Sequence, residues 1–101
     1  MSYKTWKHVE RQTAKRFGGK RCNFGGNKGG DVMSDIWCIE VKCRNKLPEW
    51  IKNAVQTARG CASENQTPFA LLHEVGQQQE FVVMDRRDFQ ELCGALGNEI
   101  D

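Results

Sequence analysis

Long hydrophobic runs are missing from this chain, and with them any stretch of the twenty or so apolar residues needed to cross a bilayer. The N-terminus is basic and polar and lacks a signal-peptide core. The expectation is a cytoplasmic protein with no membrane partner, in the host cytoplasm if the gene belongs to a phage. Cysteine pairing is missing too. Cys22, Cys38, Cys43, Cys61 and Cys93 are odd in number and include no CxxC pair, which predicts reduced, mostly buried thiols. A zinc site from Cys22, Cys38 and Cys43 is the competing use, although the spacings fit no common zinc module. There is no GxxxxGK[ST] loop, no internal repeat and no low-complexity tract. At 101 residues the chain is expected to form one domain, 1–101.

What the chain does have is charge unevenly spread. Residues 1–52 carry 12 basic side chains against 5 acidic ones, a net +7. The remainder carries 3 basic and 8 acidic residues, a net −5. That polarity predicts a half that binds a polyanion and a half that faces solvent or a partner, against a plain mixed-charge surface.

The most informative stretch runs from Gly30-Asp31-Val32 through Ile36-Trp37-Cys38-Ile39-Glu40-Val41-Lys42-Cys43-Arg44. Residues 36–43 read as a long central strand. Alternation puts Trp37, Ile39, Val41 and Cys43 on one face and Glu40, Lys42 and Arg44 on the other. A carboxylate and an ammonium two residues apart on a buried strand are costly unless something uses them. Asp31, beside glycines that let a ligand approach the backbone, completes a set suited to a divalent cation with a lysine next to it. Asp35 competes with Asp31 for that role, but reads more naturally as an acidic turn residue.

Asp31 followed nine residues later by Glu40-Val41-Lys42 resembles the D…(D/E)xK motif of the PD-(D/E)XK nuclease superfamily. Gly30 stands where the superfamily's name has proline, as in many of its members. The elements over roughly residues 3 to 75 are similar to those of small Holliday junction resolvases of phages, bacteria and archaea. The resemblance implies a restriction-endonuclease-like core and a Mg²⁺-dependent endonuclease, with Mn²⁺ able to substitute and no other small-molecule cofactor. It implies that Asp31, Glu40 and the Val41 carbonyl hold the metal, and that Lys42 orients or deprotonates water. DNA, most of all a four-way junction, is the implied substrate, and a homodimer the implied assembly. The same residues also serve nicking, repair and restriction-type nucleases, and a non-catalytic DNA-binding or assembly module is the reading from another class.

Residues 3–17 read as an amphipathic helix. Trp6, Val9, Thr13, Ala14 and Phe17 share one arc, and Lys4, Lys7, Arg11 and Lys15 lie opposite. Glu10 falls inside the apolar arc. It is read as a further metal or water ligand, as the first-helix glutamate of the resolvases implies, or as half of an ion pair with a nearby Lys or Arg. His8 reads as a solvated or phosphate-facing residue. Residues 18–30 are rich in glycine and carry Lys20, Arg21 and Lys28, which predicts a mobile phosphate-meeting loop with a short strand over 21–24. Arg44 and Lys46 extend the DNA-binding set.

Leu47-Pro48-Glu49 opens a second helix whose apolar face includes Trp50, Ile51, Ala54, Val55, Ala58, Cys61 and Ala62. Gln56, off that face, matches the resolvase-type glutamine that borders the active site, or is simply solvated. Residues 69–75 and 80–84 read as strands around the turn 76–79, with His73 packed in the strand, and residues 85–96 as a closing helix capped by Asp85. The order α-β-β-β-α-β-β-α predicts an α/β domain with a mixed central sheet flanked by helices.

Overall fold

The computed structural model describes residues 6–22 and 31–100, the last three by backbone only. The protein is mixed α/β with the expected order of elements: α1 (Trp6–Phe17), β1 (Lys20–Arg21), β2 (Val32–Met33), β3 (Cys38–Ile39), α2 (Glu49–Cys61), β4 (Ala70–His73), β5 (Glu80–Val83) and α3 (Arg86–Ile100). Among the described residues its strands form two small antiparallel sheets rather than one mixed central sheet. The chain divides into two compact units, Met1–Asn45 and Lys46–Asp101.

In the first unit, α1 buries Glu10 and Ala14, inside the predicted arc. Lys15 and Arg16 occupy its last turn, where cations suit the helix dipole. Gly18 at φ +65° ends the helix, and the Gly19 N–H donates back to the Ala14 carbonyl at 2.8 Å. That six-to-one bond across a left-handed glycine is a Schellman turn. Gly19 is needed for a second reason: a Cβ there would sit 2.6 Å from the Met33 carbonyl oxygen. The first glycine pair thus has a structural task, and residues 23–30 of the expected phosphate-meeting loop lie outside the described residues. The chain turns back into β1, which pairs with β2 (Lys20↔Met33, Arg21↔Val32), and β2 pairs with β3 (Val32↔Ile39, Met33↔Cys38). Val32, on the middle strand, is fully buried.

The long strand predicted over 36–43 shrinks to Cys38–Ile39. Two sets of local bonds explain why. The Ser34 N–H donates to the Trp37 carbonyl, and the Ser34 hydroxyl accepts the N–H groups of Ile36 and Trp37, so residues 34–37 close a tight turn. Asp35 and Ile36 are its exposed tip. Beyond Ile39, the carboxylate of Asp31 takes the Val41 N–H that a longer ladder would give to backbone. The predicted alternation nevertheless persists through this irregular segment. Trp37, Ile39, Val41 and Cys43 are half-buried, and Cys38, Glu40, Lys42 and Arg44 are exposed. Trp37 meets Phe17 edge to face at 5.8 Å.

In the second unit, Pro48 is the N-cap of α2 and Glu49 pairs with Lys52 at 3.2 Å across the first turn. The helix packs on β4 of the hairpin β4–β5, registered Ala70↔Val83 through His73↔Glu80. His73 is an exposed cross-strand partner of Glu80 (Nδ1 to Oε2, 3.0 Å). Asp85 caps α3 by accepting the Arg87 N–H at 2.8 Å. Arg59 near the end of α2 reaches Asp88 at 2.9 Å and Asp85 at 3.9 Å, fastening one helix end to the start of the next. Trp50 and Cys61 are exposed although they belong to the predicted apolar face of α2. None of the five cysteines is in a disulfide, and none is buried. Among the described residues no helix is long and apolar enough to cross a membrane.

Candidate active site

Asp31 sits at the entry to β2, at the edge of the described residues. Its Oδ2 accepts the Val41 N–H at 2.7 Å, so the carboxylate is clasped to the backbone between Glu40 and Lys42. A bond to a charged acceptor of this length is among the stronger ones available to a side chain. Glu40 and Lys42, two residues apart on the same side of the extended segment, pair with each other at 3.0 Å. The Asp31–Val41 bond and the Glu40–Lys42 pair thus lie side by side along one segment of the first unit.

Burial differs from expectation. The side chains of Glu40 and Lys42 are 58% and 64% exposed, so their charges carry no desolvation cost that a ligand has to offset. Glu10 does not join them. It is 6% exposed, and its Oε1 accepts from Arg21 Nε at 3.0 Å. The ion-pair role for Glu10 is the one realised here, and it occupies the guanidinium that was expected to face phosphate. The partner was not legible because Arg21 lies eleven residues on, across the glycine turn.

The donor set suits a hard cation only in part. Two carboxylates and a backbone carbonyl are oxygen ligands of the right kind for Mg²⁺ or Mn²⁺. Glu10, held by Arg21, is not available as a third carboxylate in this arrangement. Among the described residues no three His, Cys, Asp or Glu side chains gather into a metal-holding cluster.

Lys7, Arg11 and Lys15 form an exposed row along α1, and Lys20 is exposed on β1. Arg44 is exposed, with Nη1 donating to its neighbour's carbonyl on Cys43, and Lys46 is exposed at the start of the second unit. Gln56 is an exposed residue of α2 in that unit. Lys4 and Lys28 lie outside the described residues. Comparison with protein-family models, curated proteins and solved structures returns no match to this chain.

Proposed function

We propose that the protein is a Mg²⁺-dependent DNA endonuclease of PD-(D/E)XK type with a restriction-endonuclease-like core, acting on four-way junctions by paired nicks as a homodimer. The observation that carries this reading is the Asp31–Val41 clasp, which brings the carboxylate just before β2 against the Glu40-Val41-Lys42 segment that follows β3. Asp31, Glu40 and the Val41 carbonyl would hold Mg²⁺. A cation held there would supply a water of lowered pKa and positive charge beside the phosphate. Lys42 lies close enough to Glu40 to place its ammonium beside the same water or phosphate oxygen. The exposed row Lys7, Arg11 and Lys15, with Lys20, Arg44 and Lys46, supplies sequence-independent grip on the DNA backbone. Glu10 acts in this reading by holding Arg21, and so fixing α1 against β1. A two-fold arrangement gives two sites on opposed strands, as junction resolution requires.

A second reading is a non-catalytic DNA-binding or assembly module. The exposure of Glu40 and Lys42, and their satisfaction of each other, favours it. Cleavage of labelled four-way junction, flap, nicked and linear duplex DNA with Mg²⁺, by wild type and Glu40→Ala, separates the two. Paired symmetric nicks in the junction that disappear in the variant support resolution. Equal cutting of linear duplex keeps the nuclease and removes the junction. Tight binding with no cutting, unchanged in the variant, establishes the module.

A further inference from the structure

Of the five residues in the predicted apolar arc of α1, four are buried or half-buried, and Trp6 is 54% exposed. It lies one turn before the sealed Glu10, and the Lys7 ammonium stands over its ring at 5.5 Å from the centroid. An exposed indole with a cation beside it presents a flat ring and a charge together to whatever partner binds there. The neighbouring chemistry states what kind. Lys7 begins the exposed row Lys7, Arg11, Lys15, whose members are four residues and so about 6 Å apart along the helix. An aromatic face at the head of a line of cations matches a nucleic-acid strand, in which flat bases alternate with phosphates.

We infer that Trp6 is a stacking platform for an unpaired base of DNA, with Lys7 taking the adjoining phosphate and Arg11 and Lys15 tracking the strand away from it. The inference rests on the DNA-binding part of the proposed function and not on cleavage. Duplex DNA hides its base faces in the stack, so the platform favours single-stranded, gapped or branched DNA over linear duplex. The cation–π contact holds the ring in place before the base arrives and reduces the ordering cost of binding. Every base has a flat face, so the contact adds preference for unpaired structure without preference for sequence.

The test is binding, without divalent metal, of labelled oligo(dT) and of blunt linear duplex to wild type, Trp6→Ala and Trp6→Phe, with thermal melting as the fold control. Trp6→Ala is expected to weaken oligo(dT) binding about tenfold, the loss typical of one stacked base, and to leave duplex binding within about twofold. Trp6→Phe is expected to keep most of the affinity, and the salt dependence stays as in wild type because no cation is removed. In a Trp37→Phe/Trp50→Phe background, oligo(dT) is expected to quench the remaining Trp6 fluorescence. Equal losses on both DNAs, or no loss and no quenching, overturn the platform. Cutting by wild type with Mg²⁺, set beside Asp31→Asn, reports on the nuclease separately. A protein that cuts but binds oligo(dT) equally well without Trp6 loses the platform and keeps the nuclease. One that binds through Trp6 and never cuts does the reverse.

Discussion

Replacing Arg21 by Met should cost the protein about 3 kcal/mol, because the Glu10 carboxylate would be left sealed and uncompensated. The Glu10 side chain is 8% exposed and that of Arg21 18%, so water cannot take over the role of the guanidinium without opening the contact between α1 and β1. Glu10→Gln is milder. The amide oxygen still accepts from Arg21, and only the charge assistance is lost, about 1 kcal/mol. Glu10→Leu combined with Arg21→Met removes both charges and should come close to wild type, so the pair couples by about 2–3 kcal/mol in a double-mutant cycle. Urea unfolding followed by Trp6 and Trp37 fluorescence, in a Trp50→Phe background, reads the first unit. With an m-value of about 1–1.5 kcal/mol/M, Arg21→Met should lower the midpoint by about 2–3 M. A shift below about 0.5 M would refute the claim that the bond is a sealed structural clasp. The same variants bear on chemistry. If cleavage vanishes in Glu10→Gln while stability barely moves, Glu10 serves as a ligand during turnover and not only as the anchor of Arg21.

Gly19→Ala should destabilise by more than about 1 kcal/mol, because its Cβ would overlap the Met33 carbonyl. Gly60→Ala, in open space within α2, should stabilise by about 0.5–1 kcal/mol, and thermal melts of the two variants check both signs. Asp85 is held below the usual carboxylate range, first by the Arg87 side chain and then by the Arg87 N–H. Its contribution is present above the unfolded carboxylate value and is lost as pH falls through the lowered folded one. Asp85→Ala should therefore cost about 1 kcal/mol at neutral pH and almost nothing in strong acid, which melting against pH would show. Lys42→Ala should change stability by less than about 0.5 kcal/mol, since its ion pair is exposed, yet abolish cutting if the nuclease reading holds. Unchanged cleavage in that variant would remove Lys42 from the chemistry.

Much of the architecture was legible because periodicity survives even where hydrogen-bonded ladders do not. The arc of α1, the turn after β4 and the cap on α3 follow from local spacing and residue chemistry. The alternation from Trp37 to Arg44 holds although the strand is only two residues long, because half-burial of Ile39 and Val41 needs an extended chain, not a paired one. What sequence could not reveal was competition from side chains. Ser34 folds the start of the expected strand into a turn, and Asp31 takes an N–H from its end. The inward direction of Glu10 was readable from its neighbours, but its partner was not. The exposure of Trp6 and Trp50 was hidden for another reason: an apolar arc says which way a residue points and not how far the covering strands extend.

The two clasps of the first unit have a consequence for how the chain comes to be folded. Glu10 to Arg21 spans eleven residues and Asp31 to Val41 ten, and both lie within Met1–Asn45. Closure entropy grows only with the logarithm of loop length, so doubling either span would add about 0.6 kcal/mol. Contacts this near in sequence form fast and need nothing that follows them. At about 5–20 residues per second, a ribosome spends about 3–11 s making the 56 residues from Lys46 to Asp101. The Asp31–Val41 and Glu40–Lys42 contacts can thus form once residues 1–45 are free to fold, without waiting for any contact from Lys46–Asp101.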